Sequence, residues 1–439
     1  MVNDTVSTSA QRRASRTITI MQVLVVLGLV ARFAIWLASE GSNDARAWKS
    51  FAREINIHGI IGEYVANSRF NHPPLMGVWA VAALKVSTVL RLPYALIFKL
   101  LPLTAELLAL PLIMHALRRR GASLVVQWQG VAVFSTALVC ILVSGYHGNT
   151  DSMCALLVLL AVVLVDDGEH PFLAGLAFAA ALNVKLIPLV LAPALFIMQA
   201  RTLRHAVLFM LALGIGVIPF LPPILEVGPT FYKNAIAYNS SPNRWGIHYL
   251  LFAGMHFKAL AAPLHAIDVF WAAAARYVIL LSSFALAVRG RRLGLPAKDV
   301  AAAAMCVFLI LAPGIGVQYF CYPLALMILV DRRHALLYGL ASGLFIGAIY
   351  ISFSPLVLPL QSHHGAPFGE VPGLIGIPAW CLLTAFLVAH LRRRPVVAAG
   401  VATVGFVDVV DPVEVSAIDP VADDTAVSLS ENEARHAEP

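Results

Sequence analysis

A few charged residues interrupt an otherwise apolar chain in a way that suggests chemistry, beginning with Asp44. It lies just after the first long apolar run, in the segment Glu40-Gly41-Ser42-Asn43-Asp44. A carboxylate held at the mouth of a cavity can remove a proton from an incoming hydroxyl, so Asp44 is the candidate general base and Glu40 the alternative. Ser42 to Asp44 are also residue types that cap helices, and a plain helix start is the competing interpretation.

Lys185 and Arg244 are the candidate phosphate ligands. Lys185 interrupts the apolar stretch 179–189 and has no acidic neighbour in the sequence. An unpaired cation in apolar surroundings is costly, so Lys185 either reaches the membrane interface or meets an anion. Arg244 suits the bidentate recognition of a phosphate group. We therefore predict that both cations bind a phosphate, with the helix start after Lys185 adding N–H donors.

Other polar residues in the same segments are candidate substrate contacts. Pro73-Pro74 predict a helix start that holds His72 in place, although a structural turn explains the prolines equally well. Trp245 suits a sugar face, but an interfacial aromatic belt also accounts for it. The full predicted set of substrate contacts is His72, His147, Asp151, Asn243, Trp245, His248, Gln318 and Tyr319.

The segment His147-Gly148-Asn149-Thr150-Asp151 raises the question of a metal. His147 and Asp151 at the start of a helix suit a polar substrate or a metal, but two candidate ligands give only a weak metal signal. Thr150 or Asp151 as a simple helix cap is the structural alternative. We predict no metal ligand beyond Asp151 as a weak candidate. No cofactor is required, although a divalent metal remains compatible with these motifs.

The bulk composition places the chain in a membrane. Of its 439 residues, 59% are hydrophobic and only 13% are charged, which is too little polar surface for a water-soluble protein. The net charge of +7 does not indicate nucleic acid, because the arginines lie beside apolar runs, where membrane orientation explains them. The five cysteines lie in apolar runs without metal-ligand spacing.

Hydropathy and charge predict an all-α polytopic membrane protein with about 12 transmembrane helices. The basic clusters fall on one side, predicted to be cytoplasmic along with both termini, and the polar motifs fall on the other. The long first outer loop, 39–92, is predicted to contain interfacial helices, and the apolar stretches 73–90 and about 247–263 are placed at the outer interface. The predicted domains are a cytoplasmic segment 1–16, a membrane domain 17–394 and a mostly disordered cytoplasmic tail 395–439. The predicted spans are 17–38, 93–117, 124–145, 152–166, 171–184, 186–200, 205–225, 268–288, 297–313, 319–330, 335–353 and 373–391.

The order of these motifs resembles the GT-C superfamily of integral-membrane glycosyltransferases. The resemblance rests on the early outer Asp44, the Pro-Pro-Leu segment, the outer Asp151 and the stretch Gly-x6-Asn-x-Lys-x2-Pro at 175–188. It covers roughly residues 17–250 and is strongest for the bacterial polyprenyl-phosphate-hexose branch, which includes mannosyltransferases. It implies a lipid-linked sugar donor and Asp44 as the base. The segment around Asp151 lacks the paired acids of metal-dependent relatives, which argues against a metal requirement.

The resemblance implies that a hexose, by preference mannose, passes from a polyprenyl-phosphate donor to an acceptor on the outer face of the plasma membrane with inversion. Arabinose and glucose stay open as sugars. A glycolipid, a polysaccharide and a protein stay open as acceptors, and no nucleic-acid partner is expected. The alternatives are a transporter or lipid-linked-sugar flippase and a membrane scaffold. Transporters tend to place charge near the bilayer midplane and to show internal repeats, whereas here the polar motifs gather at one rim.

Overall fold

The fold consists of helices joined by short connections. A computed structural model of the chain describes residues 2–237, 245–353 and 370–393, and no β-strand occurs among them. These described residues belong to one compact unit, Met1–Val396. Three short 3-10 helices (Ile187–Leu191, Ile218–Phe220 and Val317–Cys321) and two π-helices (Leu142–His147 and Tyr232–Ile236) interrupt the α-helices. The α-helices are α1 Val2–Ala38, α2 Asn43–Ala66, α3 Pro74–Leu90, α4 Tyr94–Phe98, α5 Leu100–Arg118, α6 Leu124–Thr136, α7 Leu138–Ile141, α8 Asp151–Asp167, α9 Pro171–Val184, α10 Ala192–Gln199, α11 Leu203–Gly216, α12 Leu221–Phe231, α13 Gly246–Gly254, α14 Lys258–Arg292, α15 Ala297–Leu311, α16 Tyr322–Val330, α17 Arg332–Phe353 and α18 Glu370–Leu391.

Several helices are long and apolar enough to cross a membrane. Within the described residues there are five such helices, and a sixth if α6 and the bent segment 138–147 form one span. On α1, Val26, Leu27 and Val30 are more than half exposed, as expected for side chains that face lipid. The all-α, membrane-embedded architecture is therefore confirmed. A helix occupies each of the twelve predicted intervals, but the number of crossings stays a prediction.

Two helices, α2 and α3, fill the segment that was predicted to be the long first outer loop. Ser42 is the N-cap of α2, and its hydroxyl accepts a hydrogen bond from the N–H of Asp44 at 3.2 Å. Pro73 and Pro74 begin α3 as predicted. Gly59, with φ of 73°, divides α2 into two parts. The predicted interfacial stretch at about 247–263 is instead shared between α13 and the beginning of the much longer α14.

The predicted break at Lys185 is confirmed, and tight packing of α9 fixes its position. Lys185 ends α9 in an extended conformation, with φ of −160°. A Cβ at Gly175 would lie 2.3 Å from the carbonyl oxygen of Phe209, so only glycine permits this approach of α9 to α11. The helix start after Lys185 is a five-residue 3-10 helix, Ile187–Leu191, and the N–H donors predicted there stay a prediction.

Buried ionic groups hold together the helices that carry the polar motifs. The Nε of Arg32 lies 2.6 Å from a carboxylate oxygen of Glu106, and both side chains are almost fully buried. Glu106 also accepts hydrogen bonds from Ser144 and Ser152. This network joins α1 and α5 to the π-helix and to α8.

Lys99, in contrast to Glu106, is held by backbone groups. Its ammonium donates to three backbone carbonyl oxygens, those of Trp36, Ser39 and Gly145, at 2.6 to 2.9 Å. Because carbonyl dipoles can satisfy a buried ammonium, a carboxylate is not required here. Lys99 thereby joins the end of α1 to the π-helix Leu142–His147.

Candidate active site

Asp44 and His147 meet where α2 begins and the π-helix ends. The Nε2 of His147 lies 3.1 Å from the Oδ2 of Asp44. The hydroxyl of Ser42 bonds to the Nδ1 of His147 at 2.8 Å and donates to its carbonyl oxygen at 2.9 Å. The helix cap fixes the backbone of Asp44 while the imidazole contacts its carboxylate, so the capping and functional interpretations of Ser42 to Asp44 are compatible.

Asn149 completes the surroundings of this carboxylate. Its side-chain N–H donates to the Oδ2 of Asp44 at 2.6 Å, and its amide oxygen accepts from the N–H of Thr150 at 2.7 Å. The Asp44 side chain nevertheless remains 42% exposed. One face of the carboxylate is therefore fixed by protein donors, while part of it stays open to a substrate.

The electrostatic surroundings keep Asp44 ionised. Desolvation raises the pKa of the Asp44 carboxyl, but His147 beside it and the more distant Lys185 and His72 outweigh this effect and lower the pKa from 3.8 to about 2. At neutral pH the carboxylate is therefore present to accept a proton.

The chain reaches this arrangement through an unusual backbone path. His147 is the last residue of the π-helix Leu142–His147, and Gly148 follows with φ of 67°. The Cγ of Lys99 lies 3.0 Å from the position of a Cβ on Gly148, so glycine both permits the turn and leaves room for the lysine. The π-helix and this glycine together direct the His147 ring towards Asp44.

Lys185 and Asp151 form a second charged pair in the same region. The ammonium of Lys185 donates to both carboxylate oxygens of Asp151, at 2.9 and 2.8 Å, and the Tyr322 hydroxyl donates to Oδ1 at 2.9 Å. The ring of Tyr319 lies 4.7 Å from the Lys185 nitrogen. Lys185 therefore has an acidic partner that its sequence neighbours did not reveal, and its side chain is only 12% exposed.

Asp151 is poorly suited to bind a metal. Both of its oxygens receive hydrogen bonds from the cation of Lys185, whose positive charge would repel a metal ion. In the part of the chain that the structure describes, no cluster of three or more His, Cys, Asp or Glu side chains has the geometry of a metal site. At the N-cap of α8, Thr150 makes no side-chain capping bond, so capping does not explain this segment.

His72 is a buried imidazole that is influenced by the charges of Lys185 and Asp44. Its ring is 4.2 Å from that of Trp48, and the Tyr64 hydroxyl donates to its carbonyl oxygen at 2.6 Å. Burial, together with the cation of Lys185, lowers the pKa of His72 to about 3 although Asp44 opposes this shift. The imidazole is therefore neutral near pH 7 and can contribute hydrogen bonds but not charge.

Other predicted contacts have surroundings that differ from the prediction. Trp245 was expected at a sugar face, but it is 3% exposed, and its indole N–H donates to the carbonyl oxygen of Leu309 at 2.7 Å. His248 pairs with Asp268 at 2.6 Å. Trp245 is thus packed between helices, and His248 is bound by Asp268 rather than facing Asp44 in any contact of the described ranges. Gln318 is half-buried at the beginning of the 3-10 helix that carries Tyr319.

Asn243 and Arg244 lie outside the described residues, so their predicted roles stay predictions. Tyr350 was missed entirely: its ring stacks on that of His147 at 5.5 Å. It lies within an apolar helix, where no local pattern distinguishes it. Asn149 and Tyr322 were also missed as individual residues, although each lies in or beside a motif that was singled out.

Comparison with known proteins identifies the family. The sequence model of glycosyltransferase family 87 matches residues 70–313, which is more than half of the chain. No curated protein matches the chain. The matched region includes His72, His147, Asp151 and Lys185 but not Asp44, so it begins and ends later than the region in which the motif order was recognised.

Proposed function

This chain belongs to glycosyltransferase family 87, a member of the GT-C superfamily of membrane glycosyltransferases, and on that premise we propose that it uses a lipid-linked donor. The reaction is the transfer of a hexose, by preference mannose, from polyprenyl phosphate to a lipid or glycan acceptor. The family makes the chain a membrane glycosyltransferase, so a transporter or flippase is no longer the competing interpretation. The donor, the sugar, the acceptor and the base belong to the proposal.

The geometry around Asp44 is the observation that carries the proposal. Its carboxylate is ionised at neutral pH, held by Asn149 and His147, and still 42% exposed. A carboxylate that is ionised, positioned and accessible can accept a proton from an acceptor hydroxyl. Lys185, the proposed ligand of the leaving phosphate, is one of the groups that lower the pKa of this carboxyl.

The proposed step is a single displacement at the anomeric carbon. The acceptor oxygen forms a bond to that carbon while its proton passes to a carboxylate oxygen of Asp44. The bond between the anomeric carbon and the phosphate oxygen breaks, and its electron pair leaves with polyprenyl phosphate. One displacement inverts the anomeric configuration, and the proton is later released from Asp44 to water.

Lys185 is proposed to stabilise the negative charge that grows on the phosphate. An ammonium has three N–H donors, and two of those on Lys185 bind Asp151, which leaves the third for a phosphate oxygen. Arg244 is proposed as the second phosphate ligand because of its bidentate geometry. His72 is proposed as a neutral hydrogen-bonding contact for the substrate.

The membrane sets the remaining features of the proposal. A polyprenyl chain needs a lipid-facing path between helices, with its phosphate at an interface. The polar motifs are proposed to face outward from the plasma membrane, with both termini in the cytoplasm. A glycolipid, a polysaccharide or a protein then serves as the acceptor from that side.

The proposal is tested by supplying purified protein in liposomes with radiolabelled polyprenyl-phosphate mannose and a crude membrane extract as acceptor. We expect label to move into an acceptor, and the Asp44→Asn variant to move none above background. Parallel reactions with polyprenyl-phosphate glucose and arabinose identify the sugar. Transfer from a sugar nucleotide, with none from any polyprenyl-phosphate sugar, would overturn the proposed donor.

A further inference from the structure

A second polar region, remote from Asp44, contains a cavity of about 460 Å³. It lies at the end of α8 that carries Asp166 and Asp167, whereas Asp151 begins the same helix. The 17 residues of α8 put about 24 Å between these two ends. The proposed active site therefore does not account for this cavity, which lies on the side that the basic clusters predict to be cytoplasmic. Its charged lining residues are Arg119, Arg120, Asp166, Asp167, Arg201 and Arg291.

The aspartate deepest in this lining is already used by the protein. Asp166 accepts a hydrogen bond from Arg120 on one oxygen, and from the backbone N–H groups of Ala297 and Lys298 on the other. Asp167 lies 3.7 Å from Arg119 at the edge of the cavity, where the arginine is half exposed. The acidic groups thus compensate Arg120 and, more weakly, Arg119.

In the described part of the chain, the positive charges of Arg201 and Arg291 are not paired with a carboxylate. Within the described ranges, neither guanidinium lies within 4.0 Å of a carboxylate, as the ion pairs of this region all involve other arginines. Among the described residues, the Arg201 guanidinium donates to the carbonyl oxygens of Val165 and Asp166, and that of Arg291 to the carbonyl oxygen of Ile197. A guanidinium has five N–H donors, so each retains donors that the described protein atoms do not use.

The backbone is shaped to hold Arg201 in this position. Gly168 ends α8 with φ of 73°, and a Cβ on it would lie 2.2 Å from the Nη1 of Arg201. Glycine accommodates the positive φ at this helix end and leaves the space in which the guanidinium lies. The excess of arginine in cytoplasmic loops explains why arginines occur near this face. It does not explain why two of them line one cavity, or why one of them packs against Gly168.

We propose that this cavity binds a phosphate group, with Arg201 and Arg291 as its principal ligands. Arginine forks match the oxygens of a phosphate, and a cavity of this size admits a phosphate or pyrophosphate with its substituent. The phosphate belongs either to the headgroup of an anionic phospholipid or to a soluble compound. This inference does not depend on the proposed reaction at Asp44.

Binding measurements on the purified full-length protein test the proposal with two probes. Isothermal titration calorimetry with pyrophosphate, at constant ionic strength, reports a soluble ligand. Native mass spectrometry with phosphatidylglycerol, against phosphatidylcholine as the uncharged comparison, reports a lipid headgroup. We expect the wild-type protein to bind at least one of the two phosphate probes saturably.

Paired substitutions locate the binding. We expect the double substitution Arg201→Gln and Arg291→Gln to lower the affinity for the phosphate probe at least tenfold, since each substitution removes a charge-assisted contact. Arg204→Gln and Arg292→Gln, two exposed arginines that do not line the cavity, remove the same charge and should change affinity less than twofold. If thermal unfolding shows that the glutamine pair is misfolded, Arg201→Lys with Arg291→Lys keeps the charge but loses the fork, and should still weaken binding severalfold.

The outcomes separate clearly. Binding of pyrophosphate but not of phosphatidylglycerol assigns the site to a soluble phosphate, and the reverse assigns it to a lipid headgroup. Saturable binding of neither probe by the wild-type protein overturns the proposal. Equal weakening by the two pairs also overturns it, because the attraction would then belong to the whole basic face.

Discussion

Lys185 donates hydrogen bonds to both carboxylate oxygens of Asp151, at 2.9 and 2.8 Å, and so joins the end of α9 to the beginning of α8. The Asp151 side chain has no exposed surface. An ion pair in such surroundings is difficult to break, because removing one partner leaves the other charge without compensation. The pair therefore has consequences for stability as well as for any role in binding phosphate.

Removal of Lys185 alone should destabilise the protein. We expect Lys185→Met to lower the free energy of unfolding by about 3–5 kcal/mol, the usual cost of leaving a buried charge unpaired. The double substitution Lys185→Met with Asp151→Leu should recover part of this loss. Thermal unfolding in detergent measures both, with the exposed Lys258→Met as the control. A loss no larger than that of the control would show that the ion pair contributes little.

Asp151 should weaken donor binding, because it competes with the phosphate for Lys185. We expect Asp151→Asn, which leaves the ammonium without its counter-charge, to bind polyprenyl phosphate severalfold more tightly than the wild-type protein. Lys185→Ala should bind it more weakly. Affinity measured by titration of the purified variants distinguishes the two roles of the lysine. If neither substitution changes affinity, Lys185 is structural.

The carboxylate of Asp44 should control turnover rather than donor binding. Loss of a positioned general base typically slows a reaction about 10²–10⁴-fold, and Asp44→Asn should do so with an unchanged dissociation constant for the donor. Glu40→Gln serves as the control because Glu40 is the nearby exposed alternative. Near-normal transfer by Asp44→Asn, with loss of transfer in Glu40→Gln, would assign the base to Glu40.

His147 should determine the acidic limit of activity. With the pKa of Asp44 lowered to about 2, its carboxylate stays ionised on acidification until the pH approaches that value. His147→Ala removes the largest lowering influence, so the pKa of Asp44 rises and the acidic fall in kcat/KM begins at a higher pH. A pH profile between about 3.5 and 7 tests this prediction. The exposed His58→Ala should leave the profile unchanged, and identical profiles for all three proteins would contradict the assignment of Asp44.

Local signals in the sequence predicted the helix starts but not the partners. Ser42 and Pro73-Pro74 mark helix starts through their own chemistry, so the beginnings of α2 and α3 were predictable. The interruption of an apolar run likewise revealed the break at Lys185. Its pairing with Asp151 was not predictable, because it depends on how α8 packs against α9.

Burial among partners explains the remaining differences from prediction. Three carbonyl oxygens satisfy the buried ammonium of Lys99, and a pairing of this kind leaves no signature in the sequence. Trp245 has the residue type of a sugar contact, yet helix packing covers it. Residue type thus indicated which segments matter, whereas the packing of helices determined which atoms meet.

The π-helix Leu142–His147 makes the centre sensitive to backbone length. Such a segment accommodates one more amino acid than the α-helical path it replaces. Deleting one residue from this segment would convert it to an α-helical turn. The His147 ring would then rotate by about 100° around the helix axis, away from the Asp44 carboxylate. A designed helical bundle that reproduces this site must therefore keep the number of residues in the π-helix as well as the side chains.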